Sequence, residues 1–172
     1  ISGAGVITVN DADDLDYETT TSYTLTVQVS DGATQSDTES ITVTVTNVAP
    51  ALTDDDTGTV SETATASTTV VDLANTGDDD SLTWSIQAGN TGSAFAINSG
   101  TGVITVATAS ALDFETKASY SLTVRVTDGT TNSDQTITVT VTNVAPALTD
   151  DDTGTVSEVA ANTATVVDLD NT

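Results

Sequence analysis

Residues 46–62 (TNVAPALTDDDTGTVSE) recur letter for letter as residues 142–158, 96 positions later. A second match lays residues 2–9 onto residues 99–106 at an offset of 97. A period near 100 residues is the length of a β-sandwich domain and too long for a solenoid repeat. The single residue lost between the two offsets falls where Thr38-Glu39-Ser40-Ile41 shortens to Gln135-Thr136-Ile137, a change that fits a loop tip or a strand-edge bulge. In this frame residues 51–146 are one complete repeat. Residues 1–50 are the C-terminal part of the preceding repeat, and residues 147–172 the N-terminal part of the next. The chain then reads as an excerpt from a longer array.

Within each copy the apolar residues alternate. Tyr23, Leu25, Val27 and Val29 interleave with Thr24, Thr26, Gln28 and Ser30, and Ile41, Val43 and Val45 with threonines. The pattern returns at Tyr120, Leu122, Val124 and Val126, and at Ile137, Val139 and Val141. Period-two alternation of β-branched residues predicts strands with one buried face. Leu82, Trp84 and Ile86, then Phe95 and Ile97, predict two more. Gly-containing turns separate them, and no sustained 3.6-residue apolar stripe intervenes. The fold class is all-β: tandem Ig-like antiparallel β-sandwiches of about seven strands. Trp84 is the one large core anchor, a stronger reading for it than a sugar-stacking platform.

Charge narrows the function. Asp and Glu number 26, Lys and Arg two, and His and Cys are absent, for a net charge of −24. Lys117 and Arg125 cannot neutralise a phosphate backbone, so nucleic acid is excluded as a partner, as is a basic membrane face. No apolar run is long enough to insert in a membrane. Thiol chemistry, disulfides and His-based triads or zinc sites are also excluded. Oxygen ligands alone favour a hard cation, Ca²⁺ before Mg²⁺.

The two copies sort the carboxylates. Asp16 and Glu18 match Asp113 and Glu115; Asp31 matches Asp128; Glu62 matches Glu158; Asp72 matches Asp168. The triplet Asp54, Asp55, Asp56 matches Asp150, Asp151, Asp152. Asp11, Asp13 and Asp14 face Thr108, Ser110 and Ala111, which marks them as surface variation. Asp37 and Asp134 read as turn aspartates that cap local backbone. A pair such as Asp113 and Glu115 has the residue types for glycoside hydrolysis, but no substrate-stacking aromatics accompany it, so the chain is read as non-catalytic.

Leu15-Asp16-Tyr17-Glu18 and Leu112-Asp113-Phe114-Glu115 are similar to an LDRE motif. Val27-Gln28-Val29-Ser30-Asp31-Gly32 and Val124-Arg125-Val126-Thr127-Asp128-Gly129 are similar to a strand ending in AxDxG. Val60-Ser61-Glu62, Gly102-Val103-Ile104 and the stretch from Gly77 to Trp84 complete the set. In that order the motifs resemble the bacterial cadherin-like repeats of large secreted or surface adhesins. The resemblance implies Ca²⁺ at the linkers between repeats. At the first linker the implied ligands are Asp16, Glu18, Asp78 and Asp128. At the second they are Glu62, Asp113 and Glu115, joined by Asp168 or Asp170. The linkers depart from the family's DxNDNxP: they read Thr44-Val45-Thr46-Asn47-Val48-Ala49-Pro50 and Thr140-Val141-Thr142-Asn143-Val144-Ala145-Pro146. The linker carboxylates are gone and only Asn47 and Asn143 keep a side-chain carbonyl oxygen there, which implies fewer ions per junction.

The function this implies is a structural, adhesive array: a Ca²⁺-stiffened extracellular stalk or fibre at a prokaryotic cell surface. Its partners would be neighbouring repeats, with homophilic or filament self-association. The alternative is a carbohydrate-binding cadherin-like module, against which the 3% aromatic content speaks.

Overall fold

The computed structural model describes residues 5–12, 14–52, 57–77, 81–147 and 158–159. Two strands, β1 (Ser22–Ser30) and β2 (Ser36–Thr44), form an antiparallel hairpin. Seven more follow: β3 (Thr57–Ser61), β4 (Thr69–Asp72), β5 (Thr83–Ala88), β6 (Phe95–Ile97), β7 (Val103–Val106), β8 (Ser119–Thr127) and β9 (Asn132–Thr142). They make two sheets, ordered β3-β9-β8-β5 and β4-β7-β6. The all-β sandwich of about seven strands expected from the alternation is what these residues form.

One pairing departs from the antiparallel expectation. β3 runs parallel to β9, from Thr57 opposite Thr138 to Ser61 opposite Thr142. Every other named pair is antiparallel. The first and last strands of the sandwich therefore point the same way, so the chain enters at one end of the sheet and leaves at the other.

The core lies between the sheets. Ile104, Leu122, Val124, Val126, Ile137 and Val139 are fully buried, with Val60, Leu73, Phe95 and Trp84 packed around them. Each is an inward position of an alternating strand, so the sequence pattern translates directly into this face. Tyr120 meets the Phe95 ring edge-on at 5.0 Å and donates its hydroxyl to the Ala111 carbonyl at 2.5 Å. Trp84 is buried, which removes its faces from any sugar. Gly102 sits beneath its indole at φ +75°, and a Cβ there would lie 3.0 Å from the ring. That explains the glycine that opens Gly102-Val103-Ile104.

The hairpin repeats the β8–β9 pair in sequence but not in burial. Leu25, Val29 and Val43 are exposed, whereas their counterparts Leu122, Val126 and Val139 are fully buried. Of the two places expected for the one-residue difference, a loop tip or a strand-edge bulge, the loop holds it. Both ladders are regular, and the connection takes up the difference, running over residues 31–35 in one copy and 128–131 in the other.

Candidate functional site

The first linker is stapled to the sandwich at its C-terminal end. Pro50 is buried; the Ala51 and Gly77 amides both donate to Asn75 Oδ1, at 2.9 and 3.3 Å. Gly77 approaches this segment so closely that a Cβ would lie 2.3 Å from the Ala49 carbonyl oxygen. The Thr76 amide adds a bond to the Ala51 carbonyl at 2.8 Å, so the link combines backbone pairing with one amide side chain and one missing methyl.

Just beyond β8, Asp128 is nearly inaccessible, 4% exposed. Its Oδ1 accepts the Thr130 and Thr131 amides at 2.7 and 2.5 Å, and its Oδ2 accepts the Thr131 hydroxyl at 2.6 Å. Asn47 Nδ2, from the linker, reaches Asp128 Oδ2 at 3.4 Å and Thr131 Oγ1 at 3.5 Å. Burial is the largest influence and pushes the Asp128 carboxyl up. The donations from Thr131, Thr130 and Asn47 together outweigh it and bring the pKa down from 3.8 to about 2. Asp128 is therefore an anion at any ordinary pH.

Two groups beside this linker are left without donors. Both carboxylate oxygens of Glu18 are buried, and so is Asn47 Oδ1, and none receives a hydrogen bond from the described residues. Buried acceptors with no donor are costly, a carboxylate most of all. Oxygens of this kind suit a hard cation, which takes oxygen ligands and no protons.

The second linker gathers its groups differently. Glu62, just after β3, accepts the Phe114 amide at Oε2 (3.2 Å) and the Val144 amide at Oε1. Glu115 Oε1 accepts Asn143 Nδ2 at 3.2 Å. Glu62, Glu115 and the Asn143–Val144 linker are thereby drawn together from three parts of the sequence. Asp113 stands beside them but spends its oxygens locally on the Thr116 amide and hydroxyl, at 3.0 and 2.8 Å. Asp16 does the same with Thr19, at 3.0 and 2.6 Å. In each case the threonine hydroxyl is the main cause of a lowered carboxyl pKa, with the threonine amide next. These two aspartates shape the turn that presents Glu18 and Glu115.

No three of the predicted acids converge among the described residues: there is no cluster of three or more Asp, Glu, His or Cys side chains arranged to hold a metal. Asp78, Asp168 and Asp170 lie outside the described residues, as do Asp54–56 and Asp150–152. Asp134 is not a capping turn aspartate. It pairs with Arg125 across β8 and β9, with both guanidinium contacts at 2.7 Å. Asp37 does cap, accepting the Thr38 amide at 2.9 Å. Sequence reasoning credited Asn47 and Asn143 with an oxygen; it did not foresee that their amide nitrogens would hold Asp128 and Glu115. Their shared place two residues after the last alternating valine, Val45 or Val141, was the available signal.

Residues 56–143 match the cadherin domain. Protocadherin Fat 4 of Homo sapiens is 38% identical over 134 residues, covering 72% of this chain and 3% of that protein. Its Mus musculus counterpart is 37% identical over the same length and the same shares. Among solved structures, mouse clustered PcdhgC3 EC1-3 matches with a TM-score of 0.55 and 26% identity, covering 75% of this chain and 46% of that one. The chain thus spans a few per cent of the length of the curated relatives. These matches correct two expectations. The relatives reached are human and mouse protocadherins, so neither the resemblance to bacterial adhesin repeats nor the prokaryotic source stands. The motifs that carried it are set by the sandwich and its junctions, and such fold-determined positions do not distinguish one lineage from another.

Proposed function

The chain belongs to the cadherin-domain family, and from that premise we propose that it is a stretch of an extracellular adhesion array whose linkers are stiffened by Ca²⁺. Cadherin repeats are modules typical of non-catalytic adhesion proteins, and as a family they bind Ca²⁺ and associate homophilically. In this reading residues 51–146 are one complete repeat, residues 1–50 the C-terminal part of another, and residues 147–172 the N-terminal part of a third. Neighbouring repeats are then the first partners of each sandwich.

The observation that carries the reading is the set of donorless buried oxygens at the first linker, Glu18 Oε1, Glu18 Oε2 and Asn47 Oδ1. A cation there would satisfy them and tie the turn at residues 16–19 to a linker already pinned to the sandwich through Asn75 and Asp128. The second linker would use Glu62, Glu115 and Asp113, with Asp168 or Asp170 from beyond it; at the first, Asp16, Asp78 and Asp128 complete the pool. The missing linker acids keep the ion number per junction low.

Calorimetry and small-angle scattering with Ca²⁺ and with EDTA test this. Ca²⁺ should raise the melting temperature and narrow the distribution of maximum dimensions. Glu18→Gln, which removes the orphaned charge, should lose a large part of that response. Identical melts and scattering in Ca²⁺ and EDTA would sink the proposal.

A further inference from the structure

The same linker asparagine points in opposite directions at the two linkers. Asn47 and Asn143 occupy equivalent places in identical segments (TVTNVAPAL), and each has its amide NH₂ on a carboxylate. Asn143 reaches backward, to Glu115 of the turn that precedes its own linker, at 3.2 Å. Asn47 reaches forward, to Asp128 and Thr131 of the sandwich that follows, at 3.4 and 3.5 Å. The backward partner it forgoes is Glu18, the counterpart of Glu115. Glu18 is the residue left with both oxygens buried and no donor among the described residues.

We propose that this asparagine is a two-position coupler between the docking of the following repeat and the uptake of a cation. Asn47 has one NH₂ group and two competing carboxylates. When the following sandwich presents Asp128, the amide swings onto it, turns its Oδ1 inward, and deprives Glu18 of its donor. Docking therefore removes the Glu–Asn hydrogen bond of the kind Asn143 makes with Glu115, and leaves both Glu18 oxygens and Asn47 Oδ1 buried without partners among the described residues. A hard cation relieves that cost only in the docked arrangement. By linkage the cation strengthens docking by the same factor that docking strengthens the cation. A linker with Asp at this position could not work so, because an acid donates nothing to Asp128 and would add a like charge beside it. The inference rests on the cation reading above and adds to it the residue through which the junction responds.

The test compares the full chain with Asn47→Ala, Asn47→Ser and, as a control amide removed from the exposed surface of β1, Gln28→Ala. Ca²⁺ titration calorimetry gives the affinity, and urea melts in EDTA give the cation-free stability. Removing the coupler should weaken Ca²⁺ binding about tenfold, within the usual range of coupling between two sites, and should lower the cation-free melt as the Asp128 bridge is lost. Gln28→Ala should leave both within about twofold, the scale of an exposed surface change. Asn47→Asp should lower cation-free stability while enlarging the stabilisation that Ca²⁺ brings. If the unaltered chain takes up no Ca²⁺, the cation reading fails and the coupler with it. If it takes up Ca²⁺ and Asn47→Ala and Asn47→Ser bind it as tightly, the coupler alone is overturned.

Discussion

Asp128 shows how one carboxylate can be fixed by its neighbours. Two amides and a hydroxyl from Thr130 and Thr131, with the Asn47 amide, hold it as an anion in a buried place. Its folded pKa of about 2 lies below its usual 3.8, so the unfolded chain takes up its proton first as pH falls. The stability it contributes is complete above about pH 4 and is lost as pH falls through about 2. Urea melts across this window should show that loss, and Asp128→Asn should flatten it. The same variant at neutral pH should cost about 1.5–3 kcal/mol, the range for hydrogen bonds to a charged group. An equal acid slope in Asp128→Asn would mean that other carboxylates carry it. The Arg125–Asp134 pair should matter far less: both side chains are over a third exposed, and solvent screens such surface pairs.

At the scale of elements, the β8–β9 pair and the β1–β2 hairpin are a controlled comparison: similar sequences, opposite burial. Leu122→Ala should cost about 2–5 kcal/mol, because the methyls removed are fully enclosed. Leu25→Ala, at an exposed position, should stay within about 1 kcal/mol. Chemical denaturation of the two variants decides it. The strands themselves were legible, since alternation reports which residues face inward whether or not a second sheet is present. The parallel β3–β9 pairing was not, because a five-residue strand has the same alternation in either direction. Which linker group meets which carboxylate was also hidden. The copies identified Glu18, Glu62, Glu115 and Asp128 as shared acids, but hydrogen-bond partners such as Thr131 and Asn75 depend on loop paths that no periodicity encodes. Asp134 was misassigned for a related reason: its neighbours in sequence suggested a turn, while its partner Arg125 lies across the hairpin.

Over the whole molecule, a charge of −24 works against any compact array, and two separate remedies must be told apart. Dissolved salt screens diffuse repulsion over a Debye length of about 10 Å at 0.1 M. A bound ion acts at a few oxygens and saturates. Ca²⁺ at about 1 mM adds almost nothing to screening in 0.15 M NaCl, so any stabilisation it gives against that background is specific. If the concentration is about 100 times the dissociation constant, binding contributes about 2.7 kcal/mol, which for a domain of this size moves the melting temperature by roughly ten degrees or more. Mg²⁺ at the same concentration screens equally but demands tight octahedral geometry and gives up its water reluctantly. It should therefore stabilise much less at linkers that offer a carboxylate and an amide oxygen from separate segments. Melting curves in NaCl alone, with Mg²⁺ and with Ca²⁺ should rank in that order. Equal curves for the two divalent ions would assign the effect to diffuse charge and leave the linkers without a specific ion. A Ca²⁺ curve well above the Mg²⁺ curve, with Glu18→Gln closing much of the gap, would place that effect at the donorless oxygens beside Asn47.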